Sequence, residues 1–317
     1  MTANVESMMY YKEKPWHGLG NELDNPATSS EAIIAAGMDW EVEAQNIVTE
    51  SGILLPKKKA IIRKDNNVPL GVVGLKFQFL QNKESFSFFD GVVGQSKAIY
   101  HTAGVIGKGE KIWILAKLPK NMYIAKDDEV EEYLLLVNSH DGKGSIRMFF
   151  TPIRVVCQNT LNIALSDGIK QGASIRHVGK IMDKITDVQE ILRMSHKFYT
   201  DFEQGSKFLA SKQVNSKEVE KFIKTCFSDY DTEAKKVKNM MEKVEENFET
   251  EGKVLPTIAG TYWALFNGYT GYIDHGRATK GKDEYDRKSN HLNSIWFDSS
   301  VKLKQRAWDA AVNIASK

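Results

Sequence analysis

Cysteine is almost missing: Cys157 and Cys226 are the only two among 317 residues. Two thiols build neither a disulfide framework nor, on their own, a zinc site. Long apolar runs are missing as well, since no stretch approaches the roughly 20 residues of a membrane span. Met1 to Gly20 carries Lys12, Glu13, Lys14 and His17 and so lacks the apolar centre of a signal peptide. A cytoplasmic protein is expected. Charge of one sign is not in excess: 43 basic against 41 acidic residues leave a net +2, which does not mark a nucleic-acid binder by itself. The phosphate-binding fingerprints are missing too. Gly104, Gly107 and Gly109 do not make GxGxxG, Gly18-Leu19-Gly20 leads into no βαβ unit, and there is no GxxxxGKS/T. No HExxH occurs and no internal repeat is visible. No cofactor is expected.

What is present is an apolar fraction of 42%, enough for one large domain or two small ones. Thr28, Ser29 and Ser30 can cap a short helix over Ala32 to Ala36, ended by Gly37. Trp40, Val42 and Ala44 alternate with Glu41, Glu43 and Gln45, the pattern of a half-buried strand. Ile53 to Leu55, Ala60 to Ile62 and Leu70 to Val73 read as further short strands. Phe86, Phe89 and Val93 recur at helical spacing behind Asn82, a possible cap. Ala98 to Val105 pairs with Lys111 to Leu118 across Gly107 to Gly109. Glu132 to Asn138 pairs with Ser145 to Phe150 across Asp141 to Gly144. Tight turns between neighbours imply antiparallel pairing, and no strand–helix alternation suggests a doubly wound sheet.

Arg154 to Leu165 reads as a helix with a broad apolar face. From Lys180 to about Gly252 the chain is helical and charged, broken near Asp229 to Asp231. Pro256 opens a helix at its tolerated first turn, followed by an aromatic run, Tyr262, Trp263, Phe266, Tyr269 and Tyr272. A Gly/Lys-rich loop spans Gly276 to Arg287, and Asp298 to Ala315 closes the chain as an amphipathic helix. The expected class is α+β: an antiparallel sheet of hairpins with a packed helix, then a mainly helical C-terminal half. The expected units are 1–178, an arm and sheet domain; 179–255, charged helices; and 256–317, the aromatic helix, basic loop and terminal helix.

Chemistry is faint. Residues 276–317 hold nine basic and five acidic residues, so the positive surplus sits at the C-terminal end. Tyr269 and Tyr272 offer faces for base stacking, with Arg277, Lys280, Lys282 and Arg287 beside them to meet phosphates. The bland alternative is a packed helix face beside a solvated loop. Lys57, Lys58, Lys59 and Arg63 form a second basic knot, which could equally protect an edge strand. Arg147 and Arg154 flank the last hairpin strand. Two pairs, His140-Asp141 and Asp274-His275, could serve a divalent metal; the first also suits a turn and the second a helix end. Cys157 reads as a core residue rather than a nucleophile.

Pro15-Trp16-His17-Gly18-Leu19-Gly20 resembles the N-terminal signature of the phage- and plasmid-borne family of unknown function, domain 932. Tyr133 to Leu165, YLLLVNSHDGKGSIRMFFTPIRVVCQNTLNIAL, looks like that family's central motif, and Trp263 to His275 like its C-terminal one. The resemblance implies a mobile-element gene in a bacterium and supplies no mechanism. The order of hairpins and following helix is also similar to phage single-strand annealing proteins, a likeness of fold only.

The leading expectation is a non-enzymatic, homo-oligomeric protein that binds single-stranded nucleic acid in recombination or replication. Its contacts would be the cations and two tyrosines named above. The alternatives are an antagonist that occupies a bacterial defence protein, and a metal-dependent hydrolase using the two His–Asp pairs. No membrane partner is expected.

Overall fold

The computed structural model describes residues 5–12, 20–96, 98–154, 156, 172–181, 188–283 and 299–317, with single positions between 287 and 295. Strands β1 (Val5–Tyr11), β2 (Asn21–Leu23), β6 (Ile99–Ile106), β7 (Lys111–Ala125), β8 (Asp128–Ser139), β9 (Ile146–Arg154) and β10 (Gly172–Ile175) share one sheet. Its order is β10-β9-β8-β7-β6-β1-β2. Strands β3 (Val42–Val48), β4 (Leu54–Arg63) and β5 (Pro69–Gly74) make a second, smaller sheet. The described helices are α1 (Ser29–Ala35), α2 (Asn82–Ser96), α3 (Val188–Ala210), α4 (Ser216–Cys226), α5 (Lys235–Val254), α6 (Tyr262–Gly271) and α7 (Ser299–Ala315). This is the α+β class the sequence implies, with helices gathered in the C-terminal half.

Both hairpins form where glycine-bearing turns place them. β6 pairs antiparallel with β7, Ala103 opposite Ile114, and β8 with β9, Leu135 opposite Phe149. Strand β8 is buried along nearly its whole length, because both faces of the large sheet are covered. Leu134 and Leu136 face the main core, whereas Tyr133, Leu135 and Val137 belong to a second cluster on the other side. The helical half packs on the first face through an aromatic chain. Phe150 of β9 meets Phe198 of α3 at 5.7 Å, and Phe202 stacks on Trp308 of α7 at 5.6 Å. Trp308 in turn meets Phe266 of α6 at 5.5 Å. Such pairs add to stability beyond the apolar area they bury.

α1 starts on a capping box. Thr28 accepts from the Glu31 amide while Glu31 accepts from the Thr28 amide. Elsewhere the chain departs from local expectation. Leu54, Leu55 and Ala60 to Ile62 lie in one strand, β4, not two, with Ile53 just before it. Pro56 sits where the β3–β4 register shifts and before β4–β5 pairing begins at Lys58, so its missing N–H breaks no ladder bond. Asn82 does not cap α2; its amide donates to the Met38 and Trp40 carbonyls, tying the helix start to the preceding loop. Pro256 opens a single 3-10 turn, Pro256–Ile258, and α6 begins after it with Thr261 as cap. The helix expected over Arg154 to Leu165 lies outside the described residues except Arg154, which ends β9, and Val156. Strand β10, four residues carrying no clear pattern, was not foreseen.

Candidate anion-binding site

The C-terminal tyrosines are not available to a ligand. Tyr269 is 1% and Tyr272 4% exposed. Tyr269 packs edge-on against Phe222 of α4 and against Phe227, and Tyr272 lies against Phe227. Burial pushes both hydroxyl pKa values up. The stacking role expected for them is therefore corrected: the helical spacing reflects packing. Of the cations beside them, Lys280, Lys282 and Arg287 are exposed, and Arg277 is half-buried with a hydrogen bond from Nη1 to Ser300 Oγ at 3.4 Å.

Arg63 is likewise removed from any ligand surface. It is 5% exposed, with Nη1 2.6 Å from Glu6 Oε2, Nε 2.8 Å from Asp65 Oδ1 and the guanidinium 4.3 Å from the Trp40 ring centre. Two carboxylates and the Lys108 carbonyl take most of its donors, and its burial keeps a phosphate away. Lys57 and Lys58 are exposed; Lys59 is half-buried and donates to Asn46 Oδ1 at 2.6 Å. Because β4 is the middle strand of its sheet, the knot does not guard an edge.

The two His–Asp pairs have separate structural partners. His140 is wholly buried, its Nε2 2.9 Å from Asn82 Oδ1 and its ring 5.5 Å from Trp40. Burial drives its pKa down to about 3. Asp141 Oδ1 accepts from the Lys143 amide at 2.9 Å, closing the turn. Asp274 pairs with Lys304 of α7 at 2.5 Å. Trp263 fixes α6 to Asp128, the far end of β8 from Ser139. That strand is roughly 36 Å long at about 3.3 Å per residue. The helical path from Trp263 to Asp274 covers only about 16 Å, so one ion is not shared by both pairs. Among the described residues no group of three His, Cys, Asp or Glu side chains is arranged to hold a metal ion.

A different cluster stands out at the Ser139 end of β8. An open pocket of about 380 Å³ lies between the β8–β9 turn, the segment after β5 and the segment after β10. Lys76, Lys143 and Arg176 line it, together with Phe77 and His177. No carboxylate does. The three cations are exposed and come from regions about 67 and 33 residues apart in sequence. Main-chain pairing holds these segments together. Phe77 bridges Val178, and the Gln78 amide donates to the His177 carbonyl at 2.8 Å. The small sheet is docked against the turn by close backbone approach: a Cβ on Gly71 would lie 2.3 Å from the Asp141 carbonyl oxygen. Gly142, at φ +73°, takes the left-handed conformation that turns the chain back beside Val73.

Two of the expected cations border this pocket. Lys58 pairs across the ladder with Gly74, itself a lining residue, and an added Cβ at Gly74 would meet nothing within 4 Å. Arg147 donates from Nε to Ser145 Oγ, another lining residue, at 3.4 Å. The side chain of Arg154 lies outside the described residues. Lys76, Lys143 and Arg176 were missed from sequence. Only Asp141-Gly142-Lys143-Gly144-Ser145 carried a local sign, a lysine between glycines, and it read as a turn.

Fold and site together define an α+β protein with a basic, glycine-lined pocket at one end of its large sheet. A family model described as Domain of unknown function (DUF932) matches residues 69–296, more than two thirds of the chain, and the chain belongs to that family. Every residue lining the pocket falls inside the match. No curated protein and no solved structure matches the chain.

Proposed function

We propose that this chain is a mobile-element protein that binds single-stranded nucleic acid without catalysis, through its phosphates. The observation that carries the reading is the convergence of Lys76, Lys143 and Arg176 on one pocket with no carboxylate in its lining, next to exposed Lys58. Exposed cations with no carboxylate in the lining attract anions, and a row of them follows a phosphate backbone. Lys58 of β4 extends the positive surface beside Gly74. Such binding would serve recombination or replication in a bacterial cytoplasm, and assembly of several copies would lengthen the track.

Binding of a labelled single-stranded oligonucleotide as salt rises tests this. Three to five phosphate contacts give a log–log slope of about −2 to −4 at roughly −0.7 per contact. Lys143→Glu and Arg176→Glu each flatten it by close to one contact. Absence of binding near ~50 mM salt, or a flat response, removes the proposal.

A groove of about 740 Å³ between α4 and α7 favours the second reading, occupation of a host defence protein. Val301, Ala310 and Ile314 give it an apolar wall beside Lys221 and Lys302. One stoichiometric protein and no nucleic acid on the purified chain would select that reading.

A further inference from the structure

We propose that the basic pocket is a receptor for a phosphate monoester attached next to a nucleobase, either the terminal phosphate of a strand or that of a free nucleoside monophosphate. This rests on the nucleic-acid reading and narrows it from backbone contact to recognition of an end.

Charge is the first reason. A phosphate monoester carries about −1.5 to −2 at neutral pH, whereas an internal phosphodiester carries a single charge. Lys76, Lys143 and Arg176 surround one pocket, and none of them is in an ion pair among the described residues. Three cations exceed what one diester needs and suit a dianion. Arg176 supplies a planar fork for two oxygens, and the lysines act as point charges.

The lining is the second reason. About 380 Å³ sits at the lower end of small-ligand sites, roughly 300–1,000 Å³. Gly142 and Gly144 have no side chains between a ligand and the turn, and the Ser145 hydroxyl is at hand. Phe77 is half-buried and stacked on His177, ring centres 4.7 Å apart and 23° from parallel. Phe77 is thus held rigid in the pocket wall between a buried imidazole and the main core, where it offers a base an aromatic contact.

His177 is the third. It is 5% exposed; Nδ1 lies 2.9 Å from the Gln78 carbonyl oxygen and so donates, leaving Nε2 buried with no partner in the protein. Buried polar nitrogens normally have partners. Burial lowers the pKa of this imidazole, so with Nδ1 donating, Nε2 is an acceptor, and a sugar hydroxyl or base amino group of a nucleotide in the pocket it lines would provide the missing donor.

The test uses the full chain and four probes: a 5′-hydroxyl oligonucleotide, the same strand with a 5′-phosphate, the same strand with a 3′-phosphate, and deoxythymidine monophosphate. The expected result is at least tenfold tighter binding of one phosphorylated strand than of the hydroxyl-ended one. The preference is abolished by Lys143→Ser with Arg176→Ser while the melting temperature stays unchanged. The mononucleotide competes. Saturable mononucleotide binding with no strand preference also supports the pocket and identifies the free nucleotide as its source. Equal affinity for all three strands with no mononucleotide binding overturns the inference and leaves backbone binding standing. No binding of any probe overturns both.

Discussion

The indole Nε1 of Trp263 donates to Asp128 Oδ2 at 2.6 Å across 135 residues of sequence, with both side chains fully buried. This contact joins the start of α6 to the start of β8, and it is charge-assisted in a dry setting. Trp263→Phe leaves the Asp128 oxygen without that donor. Unfolding in denaturant should show a loss of about 2–4 kcal/mol, the sum of a lost buried hydrogen bond to a charge and a small cavity. A loss below half a kcal/mol would show that the pair does not hold the two halves together.

The buried pair Lys304 and Asp274, with 0% and 3% side-chain exposure, invites a double-mutant cycle. Lys304→Met alone removes the cation from a buried carboxylate and should cost about 3–5 kcal/mol, whereas adding Asp274→Leu should recover most of it. If the single and double variants are equally unstable, the pair is not the source of the cost.

Acid should weaken the fold through His140. Its folded pKa, about 3, lies below the ordinary value of 6.5, so its contribution is whole above pH 6.5 and is lost as pH falls towards 3. Within that window the slope is somewhat over 1 kcal/mol per pH unit for one group. His101, held near 4 by burial, acts in the same direction. Chemical denaturation at pH 7, 6 and 5 should show a falling midpoint. A His140 imidazole resonance titrating near pH 6 in the folded protein would exclude this origin.

Arg63 and Lys58 should separate stability from binding. Arg63→Ala removes a guanidinium clamped by Glu6, Asp65 and Trp40 and should cost about 2–4 kcal/mol, with oligonucleotide affinity unchanged below the new melting point. Lys58→Glu touches an exposed residue; it should leave stability within about half a kcal/mol and weaken strand binding. The reverse pattern would place the anion surface elsewhere.

Cys226 should resist alkylation until the chain unfolds. Its thiol is fully buried in the core, and burial pushes its pKa up. Peptide mapping after brief iodoacetamide treatment of the native protein reads this directly; rapid native labelling at Cys226 would contradict the packing of α4 on α7.

The hairpins were legible because their signals are local: glycine turns and alternating strands lie within thirty residues of one another. The aromatic run was legible as a helix, but its two readings differ only in what covers it, and Phe222 and Phe227 come from forty residues upstream. Arg63 sits in a basic string, and only the register of β4, which carries it to Glu6 and Trp40, separates it from its exposed neighbours. The pocket left almost no local trace. Lys76 and Arg176 meet because Phe77 bridges Val178, a contact spanning about a hundred residues, and neither residue has a patterned neighbourhood.

Strand β1 lies inside the large sheet, antiparallel to β6 and parallel to β2. Its antiparallel partner, β6, is synthesised some ninety residues later, so during translation Val5–Tyr11 has only the three residues of β2 to pair with until β6 is made. Until β1 docks, β6 presents an open row of amides and carbonyls to any passing strand. Trimming the N-terminal segment to residue 12 would make that transient state permanent, and sticky aggregates rather than a smaller folded protein are the expected product.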